Sequence, residues 1–99
     1  MATLLIFEFE SSGPWGQEMA NSFKELAFEI ANEPGLKWKV WTEAPDRGVA
    51  GGVYLFEDAN YAKAYSEKHA ARLKDYGIDK IGTRSFEVNE ALSRTTRGL

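Results

Sequence analysis

His69 is the one imidazole in a chain of 99 residues, and there is no cysteine. These two counts decide much of the available chemistry. Without thiols there is no disulfide, thiolate nucleophile, iron–sulfur cluster or Cys-ligated zinc, and a lone His cannot build a site that needs two. No Ser lies in a G-x-S-x-G turn, and no H-E-x-x-H, EF-hand or Walker sequence occurs. Gly13-Pro14-Trp15-Gly16 precedes a helical pattern but lacks the G-x-G-x-x-G spacing and the parallel βαβ setting of a nucleotide loop. The expectation is a site with no metal and no organic cofactor. What remains is acid–base chemistry at His69 and an aromatic content of 13 %, which is high for 11.1 kDa. Trp38, Trp41, Tyr54, Phe56 and Tyr65 either fill the core and a subunit interface or form a platform for a flat ligand. His69 likewise has two readings, a core histidine bonded to a neighbour or a base of tuned pKa facing an enclosed pocket.

These residues must be positioned by a small set of elements. Residues 3–10 are apolar and β-prone and stop at Ser11-Ser12-Gly13-Pro14, which predicts a strand and a turn. From about residue 16 to 32 the period becomes helical, with Met19, Phe23, Leu26 and Ile30 on one stripe, and Pro34-Gly35 ends it. Residues 36–43 alternate, placing Leu36, Trp38, Val40 and Thr42 on one face and Lys37, Lys39, Trp41 and Glu43 on the other. Lys37 and Lys39 mark this strand as an edge defended by charge. A short link, Ala44 to Gly48, leads to a strand at 50–57, where Gly51-Gly52 signals a bulge or a close approach. Asp58 caps a helix over 59–76 whose inward stripe is Ala62, Tyr65, His69, Leu73 and Tyr76, and Gly77 stops it. Its wet face carries Lys68, Arg72 and Lys74. A last strand is expected at 78–88, with Glu8 and Glu87 solvated or paired with Arg84, and residues 89–99 read as a polar tail.

The order βαββαβ over 1–99 predicts a single α+β domain of the ferredoxin-like kind, four antiparallel strands with both helices on one face. Both faces of that sheet are apolar: Leu5, Phe7 and Phe9 oppose Leu4 and Ile6, and Tyr54 and Phe56 oppose Val53 and Leu55. Two helices cover one face only, so a second copy, sheet against sheet, is the expected cover, giving a homodimer. The net charge of -3 and pI near 5.2 disfavour nucleic acid. No apolar run approaches the length of a membrane span, and Met1-Ala2-Thr3 opens no signal peptide, so a cytoplasmic protein without membrane contact is expected.

The block Glu33-Pro34-Gly35-Leu36-Lys37-Trp38-Lys39-Val40-Trp41-Thr42-Glu43 carries a resemblance, as do Gly51-Gly52-Val53-Tyr54-Leu55-Phe56, Glu67-Lys68-His69 with Arg72-Leu73, and Val88-Asn89-Glu90 with Leu92-Ser93. With the Gly13-Pro14-Trp15-Gly16 turn, the chain resembles the YdhR family over nearly its whole length. That family's mono-oxygenase name rests on its similarity to the dimeric α+β barrel superfamily. The resemblance implies a dimeric α+β barrel with a pocket between sheet and helices. It also implies cofactor-independent oxygenation of a phenol, quinol or anthrone by dioxygen. His69 would then be the base, Tyr54 or Tyr65 would orient the substrate oxygen, and Trp38, Trp41, Phe56 and Phe23 would enclose the ring. Two other classes fit the same resemblance: a non-catalytic binder of a small aromatic or apolar metabolite, and a heme-binding or heme-degrading protein with His69 as axial ligand.

Overall fold

The apolar segment Thr3–Glu10 forms the central strand β1 of a four-stranded sheet in the computed structural model, which describes residues 1–99. The remaining strands are β2 (Leu36–Ala44), β3 (Val49–Phe56) and β4 (Ile81–Glu87), in the order β2-β3-β1-β4 with every neighbour antiparallel. This is the ferredoxin-like arrangement, and β2 is an edge strand. The link from β2 to β3 includes a 3-10 turn at Pro45–Arg47, closed by Gly48 in the left-handed region.

The first helical stretch is two helices, α1 (Gly16–Ser22) and α2 (Lys24–Ala31), where one had been expected. The break falls at Phe23, whose backbone (φ -107, ψ 15) leaves the helical well, although its carbonyl still accepts from the Ala27 N–H. The stripe survives the break: Met19, Leu26 and Ile30 are buried. Helix α3 (Ala59–Asp75) begins where Asp58 accepts a hydrogen bond from the Tyr61 N–H, a cap that contributes about 1 kcal/mol. It ends at Gly77 (φ 83), with Ile78 N–H donating to the Leu73 carbonyl and Gly77 N–H to that of Lys74. That capping loop occupies residues expected to open the last strand, so β4 starts later than 78.

Residues 89–99 are not a plain tail. Asn89 caps a short helix, α4 (Glu90–Thr95), by accepting from the Leu92 N–H. Val88 N–H donates to the Ala2 carbonyl, and the Glu90 carboxylate accepts from the Ala2 N–H, so this end is tied to the start of β1.

The core lies on the helix-covered face of the sheet, where Leu5, Phe7, Tyr54 and Phe56 meet Leu26 and Ile30 of α2 and Ala62 and Tyr65 of α3. Each large side chain fully buried there contributes roughly 1.5 to 3 kcal/mol. The opposite face carries Leu4, Ile6, Trp38, Val40, Val53 and Phe86, and no helix spans it: Val40 is 53 % and Phe86 48 % exposed. Only its end is sheltered, where the last residues of the chain lie beside Leu4, Trp38 and Leu55.

One irregularity decides what faces the helices. Leu36 pairs with Phe56, but Trp38 pairs with Leu55, so Lys37 is an extra residue that shifts the register of β2. Beyond it, Lys39 pairs with Tyr54 and Trp41 with Gly52. Leu36, Lys39, Trp41 and Glu43 therefore share the helix-facing side, and Trp38 and Val40 share the open side. The expected grouping of Leu36 with Trp38 is corrected accordingly.

Candidate functional site

Between the sheet and helices α1 to α3 lies a cavity of about 370 Å³, within the size range of small-molecule sites. Phe7 and Phe9 enter it from β1, Lys39 and Trp41 from β2, Tyr54 from β3, Met19 and Phe23 from the first helices, and His69 and Leu73 from α3. Helical spacing explains the last pair, since Tyr65, His69 and Leu73 lie four residues apart on one face of α3. Gly52 leaves room for the polar groups: a Cβ there would meet the Lys39 Cε at 2.8 Å and the Tyr54 hydroxyl at 3.3 Å.

The walls are aromatic rings in mutual contact. Phe23 and Trp41 stack with centroids 6.3 Å apart, and the His69 ring stacks on Tyr65 at 5.1 Å and meets Phe7 edge-on at 5.2 Å. Trp41 is 40 % exposed, which puts an aromatic surface at the rim, and Tyr76, also lining the cavity, is exposed.

Behind His69 the charge is organised around Arg72, which is not itself part of the cavity lining. Its guanidinium lies 3.3 Å from His69 Nδ1 and 3.6 Å from the Glu33 carboxylate, which Lys68 also reaches at 2.8 Å. Arg72 was expected on the wet face of α3, yet its side chain is largely covered. A guanidinium only donates, so His69 Nδ1 must accept and the proton of the neutral ring sits on Nε2. Burial, then the charges of Lys39 and Arg72, lower the His69 pKa to about 3, so the ring is neutral across the physiological range. The lone pair expected to serve a base is already engaged by Arg72.

Lys39 is the polar group that the alternating pattern concealed. Its Nζ lies 3.3 Å from the Trp41 ring centroid and 4.6 Å from that of Tyr54. Burial, reinforced by Arg72, lowers its pKa to about 7. Tyr65 donates to the Tyr54 hydroxyl at 3.1 Å. Burial pushes the Tyr54 phenol up to about 12, despite opposing contributions from the Tyr65 hydrogen bond and Arg72. Burial, with Tyr54 next, raises the Tyr65 phenol further, so both hydroxyls are un-ionised donors.

Of the residues singled out in the sequence, His69, Tyr54, Trp41 and Phe23 meet in this cavity. Tyr65 lies beneath it, 2 % exposed, and acts through its bond to Tyr54. Phe56 is 0 % exposed and packs in the core against Tyr65, and Trp38 lies on the opposite face of the sheet, so neither encloses a ligand here. No three His, Asp or Glu side chains converge to hold a metal ion. Chemically, the cavity offers an apolar slot for a flat ring, un-ionised donors at Tyr54 and His69, and one amine that titrates near neutrality.

Over 67 residues the chain is 36 % identical to the succinate–CoA ligase [ADP-forming] subunit beta of Haemophilus influenzae, in each of two strains. The shared stretch is 65 % of this chain and 17 % of those proteins, so the chain spans about a sixth of the length of the curated relatives it matches. The family described as "Putative mono-oxygenase ydhR" matches residues 4–99, and with nearly its whole length covered the chain belongs to that family.

Proposed function

We propose that the protein is a cofactor-independent mono-oxygenase that oxidises a small hydroxyaromatic substrate, a phenol, quinol or anthrone, with dioxygen. The family assignment supports the reaction class. The observation that carries the substrate class is the cavity itself, an aromatic enclosure in which His69, Tyr54 and Lys39 come from adjoining elements, with Glu10, Ser11 and Ser12 adding polar groups from the end of β1 and the turn after it. In such chemistry the substrate supplies the electrons. Loss of a proton gives an anion that passes one electron to dioxygen, and the radical pair recombines to form a C–O bond. For an anthrone methylene, loss of water then leaves a carbonyl, with one oxygen atom in the product and the other in water. The protein must bind the ring, keep water out and manage the proton. In this reading Tyr54, held by Tyr65, and the His69 Nε2–H donate to the substrate oxygen, while Phe23 and Trp41 grip the ring. The stretch shared with a ligase subunit, 17 % of that protein, is too small a part to carry its reaction over.

The test is an oxygen-electrode screen of chelator-treated protein with anthrones and quinols. Uptake above the buffer rate, lowered at least tenfold in Tyr54→Phe with the fold intact, is expected. Tight binding of the same compounds without uptake would instead make the protein a carrier of such ligands.

The same reading includes a homodimer and a cytoplasmic setting. The open sheet face, with Trp38 at 38 %, Val40 at 53 % and Phe86 at 48 % exposure, is more apolar than a solvated sheet face should be, and a second copy packed sheet to sheet would cover it. Interfaces of that kind bury about 2,000 Å² or more. Sedimentation at micromolar concentration should show a dimer; a folded monomer would end this part of the reading.

A further inference from the structure

A hydroxyaromatic ligand can lose its proton in the cavity only to a group with an available lone pair. The candidates are few. Tyr54 and Tyr65 are un-ionised phenols, and the His69 Nδ1 lone pair is engaged by Arg72. Glu10 lines the cavity from the end of β1, but it is exposed, so water competes for its carboxylate. Lys39 is different. The register shift in β2 turns it inward, its Nζ lies over the Trp41 and Tyr54 rings at 3.3 and 4.6 Å, and no carboxylate pairs with it. The groups that face it are Tyr54 from β3 and His69 and Arg72 from α3, and Glu33 answers the charge of Arg72.

We propose that the Lys39 amine takes the proton from the bound hydroxyaromatic ligand, leaving a phenolate held between the Lys39 ammonium and the His69 Nε2–H; this rests on the reading of the cavity given above. The step balances without a co-reactant: the ligand O–H bond breaks, its electron pair stays on oxygen, and a new N–H bond forms at Nζ. Arg72 is a positioning residue in this scheme, because its hydrogen bond to Nδ1 keeps the His69 proton on Nε2. The environment suits the transfer. Burial and Arg72 disfavour an isolated ammonium, and an adjacent phenolate removes that penalty.

The test uses 2-naphthol, whose anion absorbs at longer wavelength than the neutral form, at about pH 8, where a free phenol of this kind is un-ionised. Lys39, with a midpoint of about 7, is then mostly neutral. In the wild-type protein, bound naphthol should show the anion band with no proton released to the buffer, since the proton stays on Lys39. In Lys39→Met the bound naphthol should stay neutral, while 2-methoxynaphthalene, which has no proton to give, binds within about threefold of wild type, showing the cavity intact. Lys39→Arg keeps a charge but cannot take up a proton, so any naphtholate it forms should appear with proton release. Neutral naphthol in the wild-type cavity, anion in Lys39→Met, or proton release by the wild type would each overturn the proposal while leaving the cavity as an aromatic site. Should Lys39→Met fail to bind the ether, the proton counts of wild type and Lys39→Arg decide. Failure of both naphthalenes to bind the wild type would remove the cavity reading, and the proposal with it.

Discussion

Replacing His69 by Gln should abolish a loss of stability that the wild-type protein suffers on mild acidification. His69 is 4 % exposed, and burial, with the charges of Lys39 and Arg72 next, lowers its pKa from 6.5 to about 3. A group whose pKa is depressed in the folded state binds its proton first in the unfolded chain. For this His the stability is therefore complete above 6.5 and drains away as the pH falls from 6.5 toward about 3. Going from 6.5 to pH 5 covers 1.5 units, which at about 1.4 kcal/mol per unit amounts to about 2 kcal/mol. Gln does not titrate, so the variant should lose about 2 kcal/mol less than wild type between pH 7 and pH 5. At pH 7 it should itself be less stable by about 1 to 3 kcal/mol, because the Arg72 guanidinium loses the Nδ1 acceptor. Urea denaturation followed by tryptophan fluorescence at the two pH values supplies both numbers. Parallel losses in wild type and variant would refute the assignment of His69 as a buried neutral donor.

The other predictions concern the frame around the site. Lys39→Met should stabilise the fold at neutral pH by about 1 to 3 kcal/mol, with the difference shrinking as the pH rises from about 7 toward 10.5, because the unfolded chain alone holds this proton in that window; an equal difference at both pH values would contradict the burial of the amine. Gly51→Ala should cost about 2 kcal/mol or more in a thermal or urea melt, since a Cβ there would overlap the Phe7 carbonyl oxygen and β1 and β3 would have to part; a loss below about 0.5 kcal/mol would show that the strands can shift. Thr3 is 2 % exposed and its hydroxyl has no hydrogen-bond partner, so Thr3→Val should be neutral or stabilising by up to about 1 kcal/mol, and a clear destabilisation would mean the hydroxyl is bonded in solution.

Most of the architecture was legible because local signals and the global fold agree. The apolar run of β1, the Asp58 cap, the Gly77 stop and the stripe Ala62, Tyr65, His69, Leu73 all stand where their residues imply. The misreadings share a cause. Alternation carries a phase, and one extra residue reverses it. Lys37 is that residue, and it moves Trp38 out of the candidate site and brings Lys39 in. Nothing in the run Leu-Lys-Trp-Lys-Val-Trp distinguishes the two phases, because either way one face carries Trp38 and the other Trp41. The break at Phe23 was equally silent, since the helical stripe continues through it. The role of Arg72 depends on Glu33, 39 positions away in the chain and near it only in the fold. The short helix at the end was readable in principle from Asn89, a cap residue just before Glu90-Ala91-Leu92.

The central claim, oxygenation by the substrate and dioxygen alone within this cavity, is tested most directly by turnover under isotopically labelled dioxygen. The substrate would be an anthrone, with protein freed of metals and flavins. The account predicts one labelled oxygen atom in the product carbonyl and the other in water, at a rate above the uncatalysed one that chelators leave unchanged. A rate no better than buffer, both labelled atoms in the product, or activity that returns only when a metal ion or a flavin is added would contradict it.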